Sequence, residues 1–367
     1  MSKYLNRQVD RVFIILGTRC NLNCKYCMQH EITEKQIFSK IDPEIYDFLT
    51  ETAYSNRNHR LLLTFYGGEP LLYFGNIKTI VETLSRRNGV QFDYSVITNA
   101  KLLTDEMVAF FNDNKVGIAV SYDGANVSDT RGYDAFSSTE HKERILALND
   151  LCLTGVISAK NYPLEIIEAM QKISNEYYQL HGYHLKINLD ELLDVGVADS
   201  SLWDFDYSRV SNEIRQIIKD VDKYVKGETY NYNDCLKTFY INSLITNYLQ
   251  GESNRDELGY TCYCGNGYNV LNMDLNGNLY PCHNTGCVIG NITDDYFTYL
   301  RKVIEHDKTR LSRDKCLQCP VFNICMGGCK LVQDKEAHTC KLMRALYEPV
   351  IEYIKNFGGE SVADGNL

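Results

Sequence analysis

The chain has 367 residues, 44% of them apolar and 23% charged, which is the make-up of a globular protein of about two domains. Its net charge of −10 argues against a nucleic-acid-binding protein, which needs a basic face. The first residues hold a short apolar block, Val12–Leu16, with no small-residue cleavage site, so neither a signal peptide nor a membrane segment is expected and the cytoplasm is the expected compartment.

Thiols stay reduced there, so the fourteen cysteines are expected to bind metal rather than to pair as disulfides. Three lie at Cys20, Cys24 and Cys27, while nine crowd between Cys262 and Cys340. One metal site near the N-terminus and more near the C-terminus are implied.

From residue 12 to 195, short apolar runs alternate with helical patterns. Strands are expected at 12–16, 61–66, 90–98, 117–122, 155–159 and 185–189. Helices are expected at 42–55, with Asp42 capping and Pro43 in the first turn, and at 76–87, 104–113 and 164–180. Alternation of this kind implies βα units and a parallel sheet. Six such units in about 185 residues fall short of a full eightfold barrel, which takes roughly 250. The fold class is therefore α/β, a partial (β/α)6 TIM-like barrel, with a doubly wound sheet as the alternative. Two helices are expected at 207–226 and 233–250, then a cysteine-rich region of hairpins and turns from about 260, and a last helix near 340–356.

The segment GTRCNLNCKYCMQH (17–30) puts its three cysteines on the loop after the first strand, at the rim where barrel active sites are built. Three thiolates on a four-iron cubane leave one iron open to a ligand. A zinc site of Cys20, Cys24, Cys27 and His30 is the competing reading. After the second strand, FYGGEP (65–70) supplies two glycines that let backbone close on a ligand and a carboxylate, Glu69, for a positive amine. Thr98 and Asn99 end the third strand, Ser121 and Asp123 follow the fourth, and Arg131 is a weaker candidate.

The combination of Cys20-x3-Cys24-x2-Cys27, with Tyr26 before the last cysteine, and Gly67-Gly68-Glu69-Pro70 resembles the radical S-adenosylmethionine (SAM) enzymes. The resemblance implies a [4Fe–4S] cluster on the three cysteines whose open iron chelates SAM. Gly67, Gly68, Glu69 and Pro70 would bind the methionyl amine, Tyr26 would lie by the adenine, and Thr98, Asn99, Ser121 and Asp123 would take the ribose and carboxylate.

Further on, Asn276-Gly277 is a type I′ hairpin signal between Cys264 and Cys282. Cys316-x2-Cys319-x5-Cys325-x3-Cys329 follows, then Cys340. Zinc ribbons use similar pairs. The order of these cysteines resembles the SPASM extension of radical SAM enzymes, which implies two auxiliary [4Fe–4S] clusters. Cys264, Cys282 and Cys329, with Cys262 or Cys287 as fourth ligand and Cys262 preferred, would hold the first. Cys316, Cys319, Cys325 and Cys340 would hold the second. The domains implied are a radical SAM barrel over 1–230, a helical bridge over 231–259 and an auxiliary-cluster domain over 260–367.

The resemblance further implies an enzyme that modifies a ribosomally made peptide or protein through a 5′-deoxyadenosyl radical, forming a crosslink or thioether or epimerising a residue. A flavodoxin or ferredoxin would donate electrons. Only 19 residues precede Cys20, so substrate recognition is expected through a separate leader-binding protein or through the barrel mouth itself. An anaerobic sulfatase maturase is the alternative, although those enzymes carry aspartate where this chain has His283. A zinc-binding scaffold is the alternative outside the family.

Overall fold

The computed structural model describes residues 8–32, 40–196, 198–228, 235–258, 267, 269–311, 316, 318–325, 327–332 and 338–363. The strands are β1 (Arg11–Ile15), β2 (Arg60–Tyr66), β3 (Gln91–Thr98), β4 (Val116–Ser121), β5 (Leu151–Ile157), β6 (Lys186–Glu191), β7 (Val270–Asp274), β8 (Asn278–Tyr280) and β9 (Gly290–Asn291). The chain divides into two compact units. One is built from Met1–Ser121, Arg131–Cys152 and Cys264–Thr309, the other from Tyr122–Thr130, Leu153–Tyr263 and Arg310–Leu367.

In the first unit β1 to β4 pair in parallel in chain order. The register sets Ile15 beside Tyr66, Phe65 beside Val96 and Thr98 beside Val120, so the four carboxyl ends form one rim. Val12, Ile14, Leu63, Phe65, Val96 and Val120 are fully buried and hold this sheet. On its other edge β1 pairs in parallel with β7, and β8 and β9 continue antiparallel. Helix α1 (Glu44–Ser55) starts just beyond Pro43, and Asp42 Oδ1 accepts the Glu44 N–H at 3.0 Å, the capping role expected of it. Helices α2 (Phe74–Leu84), α3 (Asp105–Asp113) and α5 (Thr139–Leu146) belong to this unit, and the short α4 (Val127–Arg131) lies between α3 and α5 in the chain.

The expected type I′ turn is not what closes the β7–β8 hairpin. Met273 stands opposite Leu279, which leaves a three-residue loop, Leu275–Gly277, with only Gly277 left-handed at φ 77°. Asp274 explains the change: its Oδ1 accepts from Asn276 N at 2.8 Å and Asn278 N at 3.0 Å, so the carboxylate holds the wider loop together.

The second unit carries β6 and most of β5, with α6 (Pro163–His181), α7 (Tyr207–Val225), α8 (Cys235–Leu258), α10 (Phe322–Cys325) and α11 (His338–Ala363); α9 (Tyr296–Leu311) lies almost wholly in the first unit. The fifth strand starts four residues before the expected 155. Gly155, a natural starting point in the sequence, lies inside it because Tyr122 backbone passes alongside: Tyr122 N donates to Thr154 O at 2.7 Å, and a Cβ at 155 would meet Tyr122 O at 2.8 Å.

Candidate active site

Two loops at the rim of the first unit lock to each other backbone to backbone. Gly68 N donates to Gly17 O at 3.0 Å and Glu69 N to Arg19 O at 2.8 Å. A Cβ at Gly67 would run into the Gly17 carbonyl, and one at Gly68 into the carbonyls of Thr18 and Arg19. The two glycines thus close on the cysteine loop. Tyr73 backs the contact: its hydroxyl accepts Arg19 N at 3.2 Å, and its ring fills the space a Cβ at Gly17 would take. Neither Gly17 nor Tyr73 stands out in the sequence; the glycine directly before Thr18-Arg19-Cys20 is the one available signal.

On this frame Cys20 is exposed, and Cys24 and Cys27 are half-buried. Cys27 N donates to Cys24 O at 3.1 Å, and the Cys24 thiol points to Arg131 O at 3.9 Å. Cys20 Sγ accepts from Leu22 N at 3.4 Å. Its thiol is pushed up, first by desolvation and then by the charges of Glu69 and Cys27, with the Leu22 bond opposing. Tyr26 presents its ring to the Arg131 guanidinium, 5.3 Å from the centroid.

Glu69 is buried, 1% exposed, and its carboxylate is committed within the protein. Oε1 accepts from Leu71 N at 3.0 Å and from Thr98 Oγ1 at 2.5 Å, while Oε2 accepts from Asn99 N at 2.9 Å. Burial raises its pKa and these bonds oppose the rise. The carboxylate therefore ties the end of β2 to the end of β3. Pro70 opens the short turn that follows it. Asn99 closes the ring: its Nδ2 donates to Asn21 Oδ1 at 2.8 Å and reaches Cys20 Sγ at 3.9 Å.

Ser121 ends β4 and is half-buried. Asp123 is fully buried, with Oδ2 accepting from Thr130 Oγ1 at 2.7 Å and Oδ1 from Val156 N at 3.0 Å, so it pins α4 to β5.

Cys262 and Cys264 lie outside the described residues. Cys282 is buried beyond β8, with Asn284 N on its sulfur at 3.4 Å, and Cys287 is exposed. His283 stacks on Phe13 at 4.3 Å and meets the edge of Tyr66 at 4.5 Å. Its Nδ1 lies 3.2 Å from Asn272 Oδ1, and burial, then the Arg11 charge, lower its pKa to about 4.

In the second unit Cys329 is buried, and Cys316, Cys319, Cys325 and Cys340 are half-buried. The Cys325 thiol is pushed up to about 12 by burial first and then by Cys340, Glu191, Cys319 and Cys316. Arg344, one helical turn beyond Cys340, donates to the Cys319 sulfur.

No three His, Cys, Asp or Glu side chains among the described residues converge on the reach of a single metal ion. A cubane asks for something looser, one thiolate on each iron. At the rim, all-thiol donors and an Asn21 Nδ2 that is buried without a partner among the described residues fit such a group.

This is the fold of the radical SAM enzymes. Residues 14–155 match the radical SAM superfamily, so the chain carries a radical SAM domain. A radical SAM cyclopropyl synthase, TigE, of Paramaledivibacter caminithermalis is 23% identical over 95% of this chain and 75% of that enzyme. A cysteine-type anaerobic sulfatase-maturating enzyme of Clostridium perfringens is 23% identical over 86% of this chain and 87% of its own length. Among solved structures, native anSMEcpe with bound AdoMet superposes with a TM-score of 0.67 at 19% identity, covering 96% of this chain and 99% of that one. SuiB of Streptococcus suis bound to its precursor peptide SuiA gives 0.60 at 17% identity, over 89% of this chain and 73% of that one. At such identities the superpositions show the fold.

Proposed function

We propose that the chain is a peptide- or protein-modifying radical SAM maturase with two auxiliary clusters. The observation that carries this is the doubly bonded contact between the Cys20–Cys27 loop and the Gly67–Glu69 turn, with Asn99 at the third strand end reaching Cys20. It joins the two motifs of the family into one rigid rim. Cys20, Cys24 and Cys27 would hold the SAM cluster. Cys282 and Cys329, with Cys264 and either Cys262 or Cys287, would hold the first auxiliary cluster, and Cys316, Cys319, Cys325 and Cys340 the second.

A cluster bound at the rim supplies one electron for reductive cleavage of SAM to methionine and a 5′-deoxyadenosyl radical, which takes hydrogen from the substrate. The protein's own part is positioning. Gly67, Gly68, Glu69 and Pro70 shape the turn that receives the methionyl amine. Thr98 and Asn99 stiffen it through the buried Glu69 carboxylate, and Ser121 offers a hydroxyl to the ribose. Tyr26, stacked under Arg131, gives a flat face for the adenine.

Peptide substrates are supported by SuiB with its bound SuiA and by anSMEcpe with the Cp18Cys peptide. Formylglycine formation is kept as a second reading by the sulfatase-maturating relative that spans most of the chain. In this account a flavodoxin or ferredoxin donates electrons and a separate protein delivers the leader. The protein works in the cytoplasm; no described helix is long and apolar enough to cross a membrane. The domain plan of barrel over 1–230, bridge over 231–259 and cluster domain from 260 belongs to this reading. Co-expression with a short peptide encoded beside the gene, followed by mass spectrometry of that peptide, tests it. A mass change lost in Cys24→Ala supports the proposal, and an unmodified peptide with an active cluster redirects it to protein substrates such as a sulfatase.

A further inference from the structure

Asn99, just past the end of β3, is buried at 8% exposure, and its side chain can sit only one way round. Lys101 N donates to Asn99 Oδ1 at 2.9 Å. A backbone N–H only donates, so the atom facing it is the carbonyl oxygen and the amide nitrogen lies on the other side. That nitrogen donates to Asn21 Oδ1 at 2.8 Å and lies 3.9 Å from Cys20 Sγ. It carries two hydrogens, one for each acceptor. The backbone is held as firmly, since Asn99 N donates to Glu69 Oε2 at 2.9 Å.

A second donor reaches the same sulfur from within the cysteine loop: Leu22 N lies 3.4 Å from Cys20 Sγ. The Cys24 sulfur has the opposite kind of neighbour, the carbonyl oxygen of Arg131 at 3.9 Å. As a thiol, Cys20 itself donates to Asn21 Oδ1 at 3.9 Å. A thiolate has no proton to donate there and is the stronger acceptor. Its bond from Asn99 is then charge-assisted, and such bonds are shorter and about twice as strong as neutral ones. The surroundings of Cys20 therefore suit a sulfur that carries negative charge.

We infer that Asn99 is a positioning residue that donates an N–H to the Cys20 thiolate and so eases one-electron reduction of the group held at the rim. The inference rests on the reading that Cys20, Cys24 and Cys27 hold the SAM cluster, and it gives Asn99 a role that is present before SAM binds. The electron comes from the one-electron carrier protein, and part of its charge falls on the sulfurs. A hydrogen bond to a sulfur stabilises the reduced form more than the oxidised one and raises the midpoint potential. No proton is transferred, and no bond to a thiolate is made or broken.

The test is a redox titration of the reconstituted full chain without SAM, followed by electron paramagnetic resonance. The signal of the N-terminal site is the one absent from Cys24→Ala. In Asn99→Ala the ratio of reduced to oxidised site at a given potential should fall about tenfold, a drop of about 59 mV in midpoint for one electron. Asn99→Asp keeps the size and the acceptor for Lys101 but turns a carboxylate oxygen to the sulfur, so its midpoint should lie lower still. Ser121→Ala, at another strand end with no bond to a cysteine sulfur, should keep the wild-type midpoint. A wild-type midpoint in Asn99→Ala at full iron content, or an equal drop in Ser121→Ala, would overturn the inference. If the Asn99 variants take up no iron, electron–nuclear double resonance on chain labelled at the asparagine side-chain nitrogens decides. A nitrogen coupling to the reduced site should appear in the wild type and persist in Asn21→Asp, and its absence from either protein would overturn the inference. Lack of any signal that Cys24→Ala removes would instead overturn the cluster reading beneath it.

Discussion

Replacing Gly68 with alanine is the sharpest probe of the frame that carries the cysteines. An added Cβ would lie 2.7 Å from Thr18 O and nearer still to the Arg19 carbonyl, all backbone atoms that cannot swing aside. Ordinary contact needs about 3.5–4.0 Å, so the loops must part by roughly 1.5 Å at the Arg19 carbonyl. Overpacking of this kind costs about 1–3 kcal/mol. Parting also stretches the bonds from Gly68 N to Gly17 O and from Glu69 N to Arg19 O, at about 1 kcal/mol each. The expected loss is about 3–5 kcal/mol, or roughly 6–20 °C in Tm for a unit of this size. Thermal unfolding of metal-free protein measures it without interference from a cluster. Gly75→Ala is the control: it sits near the start of α2, a Cβ there meets nothing within 4 Å, and it should be neutral or stabilise by up to about 1 kcal/mol. If Gly68→Ala melts within about 2 °C of the wild type, the close approach does not constrain this loop and the reasoning fails.

Three further outcomes are expected. In Glu69→Gln an amide donor must face Asn99 N, or both Leu71 N and Thr98 Oγ1, so stability should fall by about 1–3 kcal/mol along with SAM affinity; unfolding and equilibrium binding measure the two, and unchanged stability would contradict the bonding described. The pKa of His283 is lowered to about 4 against an ordinary value near 6.5, so the folded state resists its protonation. Metal-free protein should lose stability as pH falls through that window and regain it as pH rises. The loss should shrink in His283→Gln, and an equal loss in both proteins would exclude the imidazole as its source. Cys319→Ala should still form 5′-deoxyadenosine but no modified peptide, at reduced stability because metal binding is also folding energy; full product from a soluble variant lacking that cluster would deny it a catalytic role.

Much of this was legible because it is local. The spacing of Cys20, Cys24 and Cys27, the Gly67–Pro70 run and the alternating strands each sit within a few residues, and the strands appear within about two residues of expectation except β5. What stayed hidden depends on contacts far apart in the chain. β7 pairs with β1 across some 250 residues, and nothing in either strand encodes the other. Glu69 reads as a ligand for a free amine, yet three donors from two other positions on the fold converge on it. Asp123 reads as a strand-end ligand, and nothing in the sequence announces its bonds to Thr130 and Val156. Gly155 breaks a strand pattern on paper and completes one in space.

The central claim is that Cys20, Cys24 and Cys27 form a cluster site for cleaving SAM. Anaerobic reconstitution with iron and sulfide, followed by dithionite and SAM, tests it directly through the 5′-deoxyadenosine formed. The account predicts a brown wild-type protein that releases 5′-deoxyadenosine and a Cys24→Ala protein that releases none. Equal release from both, or a colourless wild type that binds zinc instead, would contradict it.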